Sequence, residues 1–299
     1  MDYRYSKILG VVFPSVYSAI LAIVCLVNNV LPTPEFVVLA FFIYATYNKM
    51  TRRFLGDWGP YILIFLSFEA LFGIVGGSAG LLQKAVAGAN QLLALETSLF
   101  GCIPTLALQQ LCRTPFLDYM GAFFYSLHFL APTLFAFILW KYSPQNFRKY
   151  TAVLAIGIYS ALVTFLVYPT APPWQAVGGV QRILFSVDTR IGIPFYKTIF
   201  DYVSSDPYAA FPSLHAMLPS IVLLYSLKIK KLRALPVLIY PVGVWFSAVY
   251  LGEHYVVDII GGVLYAVLAF ILVEKAAPII AERISSRPKP QNGPADKRL

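Results

Sequence analysis

Long runs of apolar residues, separated by short polar or basic stretches, dominate the pattern along the chain. A helix of roughly 20 mostly apolar residues crosses the ~30 Å hydrocarbon layer of a membrane, so these runs predict about eight transmembrane helices. They lie near residues 8–31, 35–49, 60–77, 118–140, 150–168, 208–227, 234–252 and 255–274. The second is short enough to be re-entrant, because only thirteen residues separate Glu35 from Lys49.

Composition supports an all-α, polytopic membrane protein. Of the 299 residues, 59% are hydrophobic and 12% are charged, and the mean hydropathy is +0.70. A soluble domain carries about 25% charged residues, so a soluble globular protein is excluded.

Basic residues predict the orientation of the spans. The net charge is +9, and with a cytoplasmic N-terminus 18 of the 23 Lys and Arg residues fall in cytoplasmic segments. This bias predicts that both termini are cytoplasmic. The positive charge therefore reflects topology, and we expect no nucleic-acid partner because no base-reading feature accompanies it.

Three regions are predicted along the chain. Residues 1–117 would hold N-terminal spans and an amphipathic segment, within 78–116, at the outer interface. Residues 118–276 would form the catalytic helical core, which includes a long outer connection over 169–207. The Pro-rich, polar residues 277–299 predict a disordered cytoplasmic tail.

Candidate chemistry centres on two of the three histidines. His215 lies in AAFPSLHAM and His254 in YLGEHYVVD, each at the outer end of a predicted span. Asp258 follows His254 at i+4, so on a helix its carboxylate can hold one ring nitrogen while the other faces a substrate.

This arrangement suits nucleophilic catalysis at phosphorus on the extracytoplasmic face of the membrane. His254 would attack, Asp258 would orient it, and His215 would act as acid and then base. Ser213 and the free N–H groups that follow Phe211-Pro212, including that of Leu214, would hold phosphate oxygens. Two alternatives stay open at this point, namely interfacial polar residues without catalysis and a metal site built from the two histidines and the aspartate.

Several motifs resemble the type 2 phosphatidic acid phosphatase superfamily. FPSLH is similar to its PSGH-type motif, and SAVYLGEHYVVD fits SRxxxxxHxxxD with Ser247, His254 and Asp258 at matching positions. YPTAPPW, FPSLHAM and SLHFLAP further resemble the inositol phosphorylceramide synthase branch. The resemblance covers roughly residues 118–275 and implies a phosphatase-type helix bundle and metal-independent transfer through a phosphohistidine, without a cofactor.

Two departures from the superfamily pattern concern the cations that hold phosphate. Ala248 replaces the motif arginine, and KxxxxxxRP is missing. Transition-state charge must then be met by other groups, since electrostatic stabilisation is usually the largest catalytic contribution. The predicted outer segments offer four candidates: Arg113, Arg182, Arg190 and Lys197.

Aromatic and histidine residues complete the predicted substrate site. YPTAPPW would end the fifth span and form a rigid wall at the outer interface. Its candidate contacts are Tyr168, Pro172, Pro173 and Trp174, and His128 would line the headgroup cavity.

We therefore expect an integral membrane phosphotransferase whose partners are a donor and an acceptor lipid. It would move a phosphorylated polar head, such as inositol phosphate, from a phospholipid to a hydroxyl acceptor. If water attacks instead, the protein is a lipid phosphatase acting on phosphatidic acid or a polyprenyl diphosphate. A transporter that uses the histidines for protons or ions is the alternative from a different class, although no inverted repeat accompanies it.

Overall fold

The computed structural model describes residues 34–75, 81–198 and 208–276. Regular secondary structure in these ranges is helical, and one isolated bridge joins Thr170 to Ala209. The all-α prediction is confirmed. The predicted span at 8–31 and the predicted tail at 277–299 lie outside the described residues.

Eleven α-helices are described. In chain order they are α1 Pro34–Tyr47, α2 Thr51–Val75, α3 Leu81–Phe100, α4 Pro104–Cys112, α5 Pro115–Tyr142, α6 Pro144–Val167, α7 Pro173–Ala176, α8 Ile183–Ile191, α9 Leu214–Lys230, α10 Ile239–Tyr250 and α11 Val256–Ile271. A 3-10 helix, Lys231–Leu238, joins α9 to α10, and a π-helix, Leu272–Ala276, extends α11.

Local sequence fixes where the core helices begin. Thr114 caps α5, where its hydroxyl accepts the N–H of Leu117 at 3.2 Å, and Pro115 occupies the first helical position. Ser213 caps α9 in the same way, accepting the N–H of Ala216 at 3.2 Å. Side-chain caps and proline at the first position both suit the first turn, which lacks intrahelical acceptors for its N–H groups.

The prediction of about eight spanning helices is not confirmed. In the described ranges, four helical stretches are long and apolar enough to span: Pro115–Tyr142, Pro144–Val167, Leu214–Tyr250 and Val256–Ala276. A fifth is possible if α3 and α4, which meet at 66°, form one broken span or a re-entrant loop.

The differences have local causes. α1 is only 14 residues long, and α2 begins with Arg52, Arg53 and Asp57 before its apolar part. The runs predicted at 208–227 and 234–252 are joined by the 3-10 helix, so Leu214–Tyr250 forms one helical stretch of 37 residues.

The chain nevertheless reverses between α9 and α10. The two helices pack against each other, and His215 at the start of α9 lies 3.0 Å from His254, which follows α10. α9 ends at Lys230. The next residue, Lys231, has a φ of 52°, and the backbone turns there.

The bundle around α9 contains the core. α9 packs against α5, α6, α10 and α11. A cluster of large buried aromatic side chains packs α2, α5 and α6 together: Phe54, Trp58, Tyr61, Trp140, Phe147 and Tyr150. Asp57 lies at the edge of this cluster and accepts the indole N–H of Trp140 at 3.0 Å.

α9 and α11 are in close contact near the start of α9. A side chain at Gly262 of α11 would collide with the carbonyl oxygen of Ser213 and with Ala216. Absence of a Cβ here allows the main chain of the α9 cap to lie directly on α11. The contact sets the distance between the segments that carry His215 and Asp258.

Candidate active site

His254 lies in a tight connection between α10 and α11. Gly252 makes the turn at a φ of 88°, and the N–H groups of Glu253 and His254 both donate to the carbonyl of Ala248. α11 begins two residues later with Val256. The catalytic candidate therefore lies between a well-anchored turn and a helix N-terminus.

The Asp258 carboxylate lies at the N-terminus of α11, where it faces His254. Its Oδ2 accepts the N–H of Tyr255 at 2.8 Å and lies 3.4 Å from Nδ1 of His254. The predicted i,i+4 contact is present, and Asp258 is fully buried. Its second oxygen, Oδ1, is buried and has no partner among the described residues.

The main chain also orients His254, which sequence reasoning missed. Nδ1 lies 3.0 Å from the carbonyl oxygen of Ala210, closer than the carboxylate. Because a carbonyl only accepts hydrogen bonds, Nδ1 carries the hydrogen and Nε2 keeps its lone pair. This tautomer is the one that a nucleophilic imidazole needs.

His215 stands directly opposite that lone pair. Its Nδ1 lies 3.0 Å from Nε2 of His254, so Nδ1 of His215 is the donor in the neutral pair. The Ser213 hydroxyl caps α9 one turn away, and the Ser213 main-chain N–H donates to the carbonyl of Asp258 at 3.1 Å. The predicted trio of His215, His254 and Asp258 is thus brought together, with Ser213 beside it.

Leu214, the other predicted phosphate contact in this segment, is the first residue of α9. Its side chain is half-buried and packs against the apolar core. Any contact of Leu214 with phosphate would therefore come from its main-chain N–H at the helix N-terminus.

His128 joins the cluster, so all three histidines of the chain lie together. Its ring centroid is 3.7 Å from that of His215, and its Nδ1 is 2.6 Å from the carbonyl oxygen of Tyr125. Tyr125 itself stacks on His215, with centroids 4.1 Å apart and planes 19° apart. Tyr125 and His128 lie at i and i+3 on α5, which is the spacing that places both on one helix face.

The YPTAPPW segment supports the histidine site through Thr170. The Ala210 N–H donates to the Thr170 carbonyl at 3.2 Å, and the Phe211 N–H donates to the Thr170 hydroxyl at 2.8 Å. These bonds hold the strand-like stretch whose Ala210 carbonyl orients His254. Sequence reasoning did not find this role of the segment.

The predicted headgroup residues of the same segment line its outer part. The Tyr168 hydroxyl donates to the amide oxygen of Gln91 at 2.9 Å and lies 3.2 Å from the Gly88 carbonyl oxygen, and burial raises the pKa of this phenol. Pro172 and Pro173 are buried where α7 begins. Trp174 is half-buried, its N–H donates to the Gly252 carbonyl, and its indole N–H is unpartnered among the described residues.

The four predicted cations differ in what they contact. Arg182 forms a two-point ion pair with Glu253, at 2.7 and 3.1 Å, and its guanidinium lies 4.5 Å from the centroid of Trp174. Glu253 is the residue before His254.

Arg113 and Arg190 instead meet at Asp118. This fully buried carboxylate lies 3.8 Å from Arg113 and 2.6 Å from Arg190, and it accepts the Tyr250 hydroxyl at 2.6 Å. Lys197 is exposed, and its main-chain N–H donates to Asp188 at 2.8 Å. The ion pair with Glu253 connects Arg182 directly to the histidine segment.

Glu96 of α3 is a buried residue of the site that sequence reasoning missed. Its Oε1 accepts the N–H groups of Val256 at 2.5 Å and Val257 at 3.3 Å, the first two of α11. The side chain is fully buried, and Oε2 has no partner among the described residues. The sequence signal that could have identified Glu96 is its position as a lone acidic residue on the apolar face of an amphipathic helix.

The described residues contain no group of three or more His, Cys, Asp or Glu side chains arranged to hold a metal ion. Two of the three histidines direct Nδ1 at main-chain carbonyls, and the third directs Nδ1 at His254.

Fold and site together define a helical integral membrane protein with a histidine pair, His254 buried and His215 half-buried, that is backed by an aspartate at one end of the bundle. The sequence profile described as the PAP2 superfamily matches residues 90–272. This match covers more than half of the chain, which therefore belongs to the PAP2 superfamily.

Individual curated proteins of known name are also similar to this chain. The chain is 28% identical over 202 residues to the phosphoinositol dihydroceramide synthase of Bacteroides thetaiotaomicron, covering 61% of this chain and 66% of the relative. It is 29% identical over 197 residues to the inositol phosphorylceramide synthase of Candida albicans, covering 60% and 40% respectively.

A third relative is the inositol phosphorylceramide synthase catalytic subunit of Saccharomyces cerevisiae, 32% identical over 124 residues, or 36% of this chain and 29% of that protein. The chain thus spans from 29% to 66% of the length of these three relatives. No solved structure gives a significant match.

Proposed function

We propose that this protein is a membrane phosphotransferase that moves a phosphorylated polar head, inositol phosphate-like, from a phospholipid to a hydroxyl acceptor. The observation that carries the proposal is the contact of 3.0 Å between Nε2 of His254 and Nδ1 of His215, with Asp258 on the far side of His254. The relatives are named phosphoinositol dihydroceramide synthase and inositol phosphorylceramide synthase, which favours transfer over hydrolysis.

The first half-reaction would form a phosphohistidine. Nε2 of His254 attacks phosphorus, the bond from phosphorus to the oxygen of the donor lipid breaks, and that oxygen takes a proton from Nδ1 of His215. The Ala210 carbonyl and the Asp258 carboxylate, at 3.0 and 3.4 Å from Nδ1, stabilise the positive charge that develops on His254.

The second half-reaction would reverse these roles. The acceptor hydroxyl gives its proton to Nδ1 of His215, its oxygen attacks phosphorus, and the bond from phosphorus to His254 breaks. If water enters instead of a lipid hydroxyl, inorganic phosphate or a phosphorylated polar head is released. Hydrolysis therefore shares the intermediate and differs only in the attacking oxygen.

Positive charge for the phosphate oxygens would come from Arg182 and from the N-terminus of α9. Arg182 forms an ion pair at 2.7 Å with Glu253, which is the residue before the nucleophile. Ser213 and Leu214 open α9, and the free N–H groups of a helix N-terminus can hold phosphate oxygens. Arg113, Arg190 and Lys197 would act farther out, on the approach of the anionic headgroup.

The polar head would lie against the YPTAPPW wall. Tyr168, Pro172, Pro173 and Trp174 lie on the segment that packs over the turn before His254, through the bond from Trp174 to Gly252 at 3.0 Å. A rigid aromatic and proline wall gives shape selection at a membrane interface at little cost in conformational entropy.

Charge distribution along α9 supports an extracytoplasmic site. His215 lies at the start of this 17-residue helix, and Lys228 and Lys230 lie at its end. At 1.5 Å per residue the two ends are roughly 25 Å apart. If the basic end is cytoplasmic, by the positive-inside rule, the histidines face the opposite side; that both termini are cytoplasmic stays a prediction from the distribution of basic residues.

The catalytic unit would include α3 and α4 in addition to residues 118–276. Glu96 of α3 caps α11, and the family profile begins at residue 90. We therefore propose that the boundary expected at residue 117 lies earlier, near the start of α3, with α1 and α2 as an N-terminal addition that packs on α5 and α6.

Product analysis by mass spectrometry tests the proposal. Purified protein in detergent is incubated with phosphatidylinositol and a ceramide, and separately with phosphatidic acid and with a polyprenyl diphosphate. The proposal predicts a new inositol-phosphate lipid that is absent with His254→Ala. Phe123→Leu serves as the matched control, because Phe123 is 54% exposed on α5.

Other outcomes identify the alternatives. Inorganic phosphate from phosphatidic acid or the diphosphate, without a transfer product, would make the protein a lipid phosphatase. If no donor gives a product whose formation depends on His254, phosphate chemistry is refuted and a transporter is favoured.

A further inference from the structure

Gln109 of α4 is a buried polar residue that the proposed function does not use. Its side chain is 7% exposed, and its amide makes three hydrogen bonds to main-chain groups of two other segments. Nε2 donates to the carbonyls of Gln181 and Tyr250, each at 2.9 Å, and Oε1 accepts the N–H of Gln181 at 2.8 Å. The amide therefore joins the residue before Arg182 to the end of α10, four residues before His254.

The two segments that Gln109 joins are also in direct contact with each other. The N–H of Ile183 donates to the Leu251 carbonyl at 3.2 Å. A Cβ added at Gly252 would lie 2.7 Å from the carbonyl oxygen of Gln181 and 3.3 Å from Nε2 of Gln109, so no side chain fits between them. The main chain on either side of the arginine therefore rests against the turn that carries the nucleophile.

The guanidinium of Arg182 has partners of its own. It pairs with Glu253 and lies 4.5 and 4.7 Å from the ring centroids of Trp174 and Phe185. Arginine and glutamate side chains have many rotamers, so an ion pair can persist while the main chain beneath it shifts. A misplacement of roughly 1 Å is already costly in catalysis. Accurate placement of the guanidinium therefore requires that the main chain of Arg182 is itself held.

We propose that Gln109 is a positioning residue that fixes Arg182 relative to the turn before His254. The guanidinium then stays within reach of a phosphate oxygen while Nε2 of His254 attacks. An amide suits this task, because it both donates and accepts hydrogen bonds and adds no charge beside the pair of Arg182 and Glu253. The inference rests on the proposed function, since it explains how the phosphate-binding cation of that site is placed.

A substitution that removes the amide tests the inference. Gln109→Met keeps an unbranched side chain of similar length but makes none of the three strong hydrogen bonds. We expect kcat/KM for transfer, expressed per mole of folded protein, to fall about 10- to 100-fold. Gln110→Met makes the same change one residue along α4, at an exposed position, and should keep the wild-type value.

A kinetic double-mutant cycle separates positioning from a general loss of structure. Gln109→Met is also made in the variant that combines Arg182→Ala with Glu253→Ala, which lacks the guanidinium and leaves neither charge unpaired. If Gln109 acts through Arg182, the loss of kcat/KM in this background should be less than about 2-fold. A purely structural role would lower kcat/KM by the same factor in both backgrounds.

A milder variant covers the case in which Gln109→Met does not fold. Gln109→Asn keeps the amide, but its side chain is one methylene shorter and cannot reach both segments equally well. We expect kcat/KM to fall about 3-fold, the effect of weakening one neutral hydrogen bond.

Thermal unfolding supplies a readout that does not depend on any activity. If Gln109 holds Arg182 at the turn, the ion pair is weaker in Gln109→Met than in the wild-type protein. Arg182→Ala should therefore lower Tm less in the Gln109→Met protein than in the wild-type protein, by about 2 °C or more.

Two kinetic results would overturn the inference: a wild-type kcat/KM in both Gln109→Met and Gln109→Asn, or an equal loss with and without the pair of Arg182 and Glu253. If the wild-type protein makes no product that depends on His254, the proposed function fails instead. The Tm comparison then decides whether Gln109 holds Arg182, and equal effects of Arg182→Ala in the two proteins would show that it does not.

Discussion

Removal of Arg182 should destabilise the protein because it leaves Glu253 buried without a counter-charge. The Arg182 and Glu253 side chains are 15% and 6% exposed, and two hydrogen bonds join them at 2.7 and 3.1 Å. Breaking one partner of a buried ion pair costs about 3–5 kcal/mol, whereas an exposed pair contributes roughly 0–1 kcal/mol. Since Arg182 is not fully buried, we expect Arg182→Ala to cost about 3 kcal/mol.

A double-mutant cycle isolates the pair from the packing of Arg182 on Trp174. Arg182→Ala combined with Glu253→Ala removes both charges, so the double variant should be more stable than the sum of the two single changes predicts. We expect a coupling free energy of about 2 kcal/mol. The measurement is the free energy of unfolding in detergent micelles for the four proteins, followed by near-ultraviolet circular dichroism. A coupling below about 0.5 kcal/mol would refute the buried-pair interpretation.

The same four proteins separate the structural role of Arg182 from its proposed role in phosphate binding. If Arg182 only neutralises Glu253, the double variant regains both stability and turnover. If the guanidinium also attracts the donor phosphate, the double variant regains stability but keeps a low kcat/KM. We expect the second result, with a loss of about 10- to 100-fold, equal to about 1.4–2.7 kcal/mol of transition-state stabilisation.

Three further predictions concern the frame of the site. Glu96→Ala removes the acceptor of two buried N–H groups at the start of α11 and should cost about 2–4 kcal/mol in the free energy of unfolding; Glu96→Gln keeps the acceptor and should cost less. Gly262→Ala should lower the free energy of unfolding by about 1–3 kcal/mol and lower turnover, because the new methyl group collides with the α9 cap. The control Gly56→Ala, whose methyl group meets nothing within 4 Å, should be neutral or stabilising by about 0.4–1 kcal/mol, and equal thermal stabilities of the two variants would contradict the contact. Asp258→Asn should lower kcat about 100-fold or more while the protein stays folded, and a wild-type rate in a product assay would remove Asp258 from the mechanism.

Sequence patterns predicted the parts of this protein that depend on local chemistry. Apolar runs identified the helical class, and the i,i+4 spacing of His254 and Asp258 identified their contact, which the structure shows at 3.4 Å. The number of spans was predicted less well. Hydropathy counts each apolar run once, and it cannot tell whether a short basic stretch such as residues 231–238 is a loop or a 3-10 helix between two packed helices.

Contacts between distant segments were not predictable from the pattern. Ala210 orients His254 through a main-chain carbonyl, and no side-chain signature marks a carbonyl acceptor. Glu96 lies 160 residues before its partner Val256, on a helix whose amphipathic pattern suggested an interfacial position. Arg182 could be named only as one of four cations, because nothing in the sequence indicates which of the four pairs with Glu253.

The way in which the histidines are held has a consequence for an anionic substrate. Carboxylates could orient all three rings, but each one near the reacting phosphate would repel it, and each one buried near a membrane would cost free energy. In the described site, a main-chain carbonyl orients His128, and a main-chain carbonyl together with the Asp258 carboxylate orients His254. Asp258 is the one carboxylate that faces a histidine, and it lies on the side of His254 away from His215. Glu253 is the remaining acidic neighbour in the turn, and Arg182 neutralises it at 2.7 Å. The side of His254 that faces His215 is therefore left without an unpaired negative charge, which is the condition for a phosphodiester to approach Nε2.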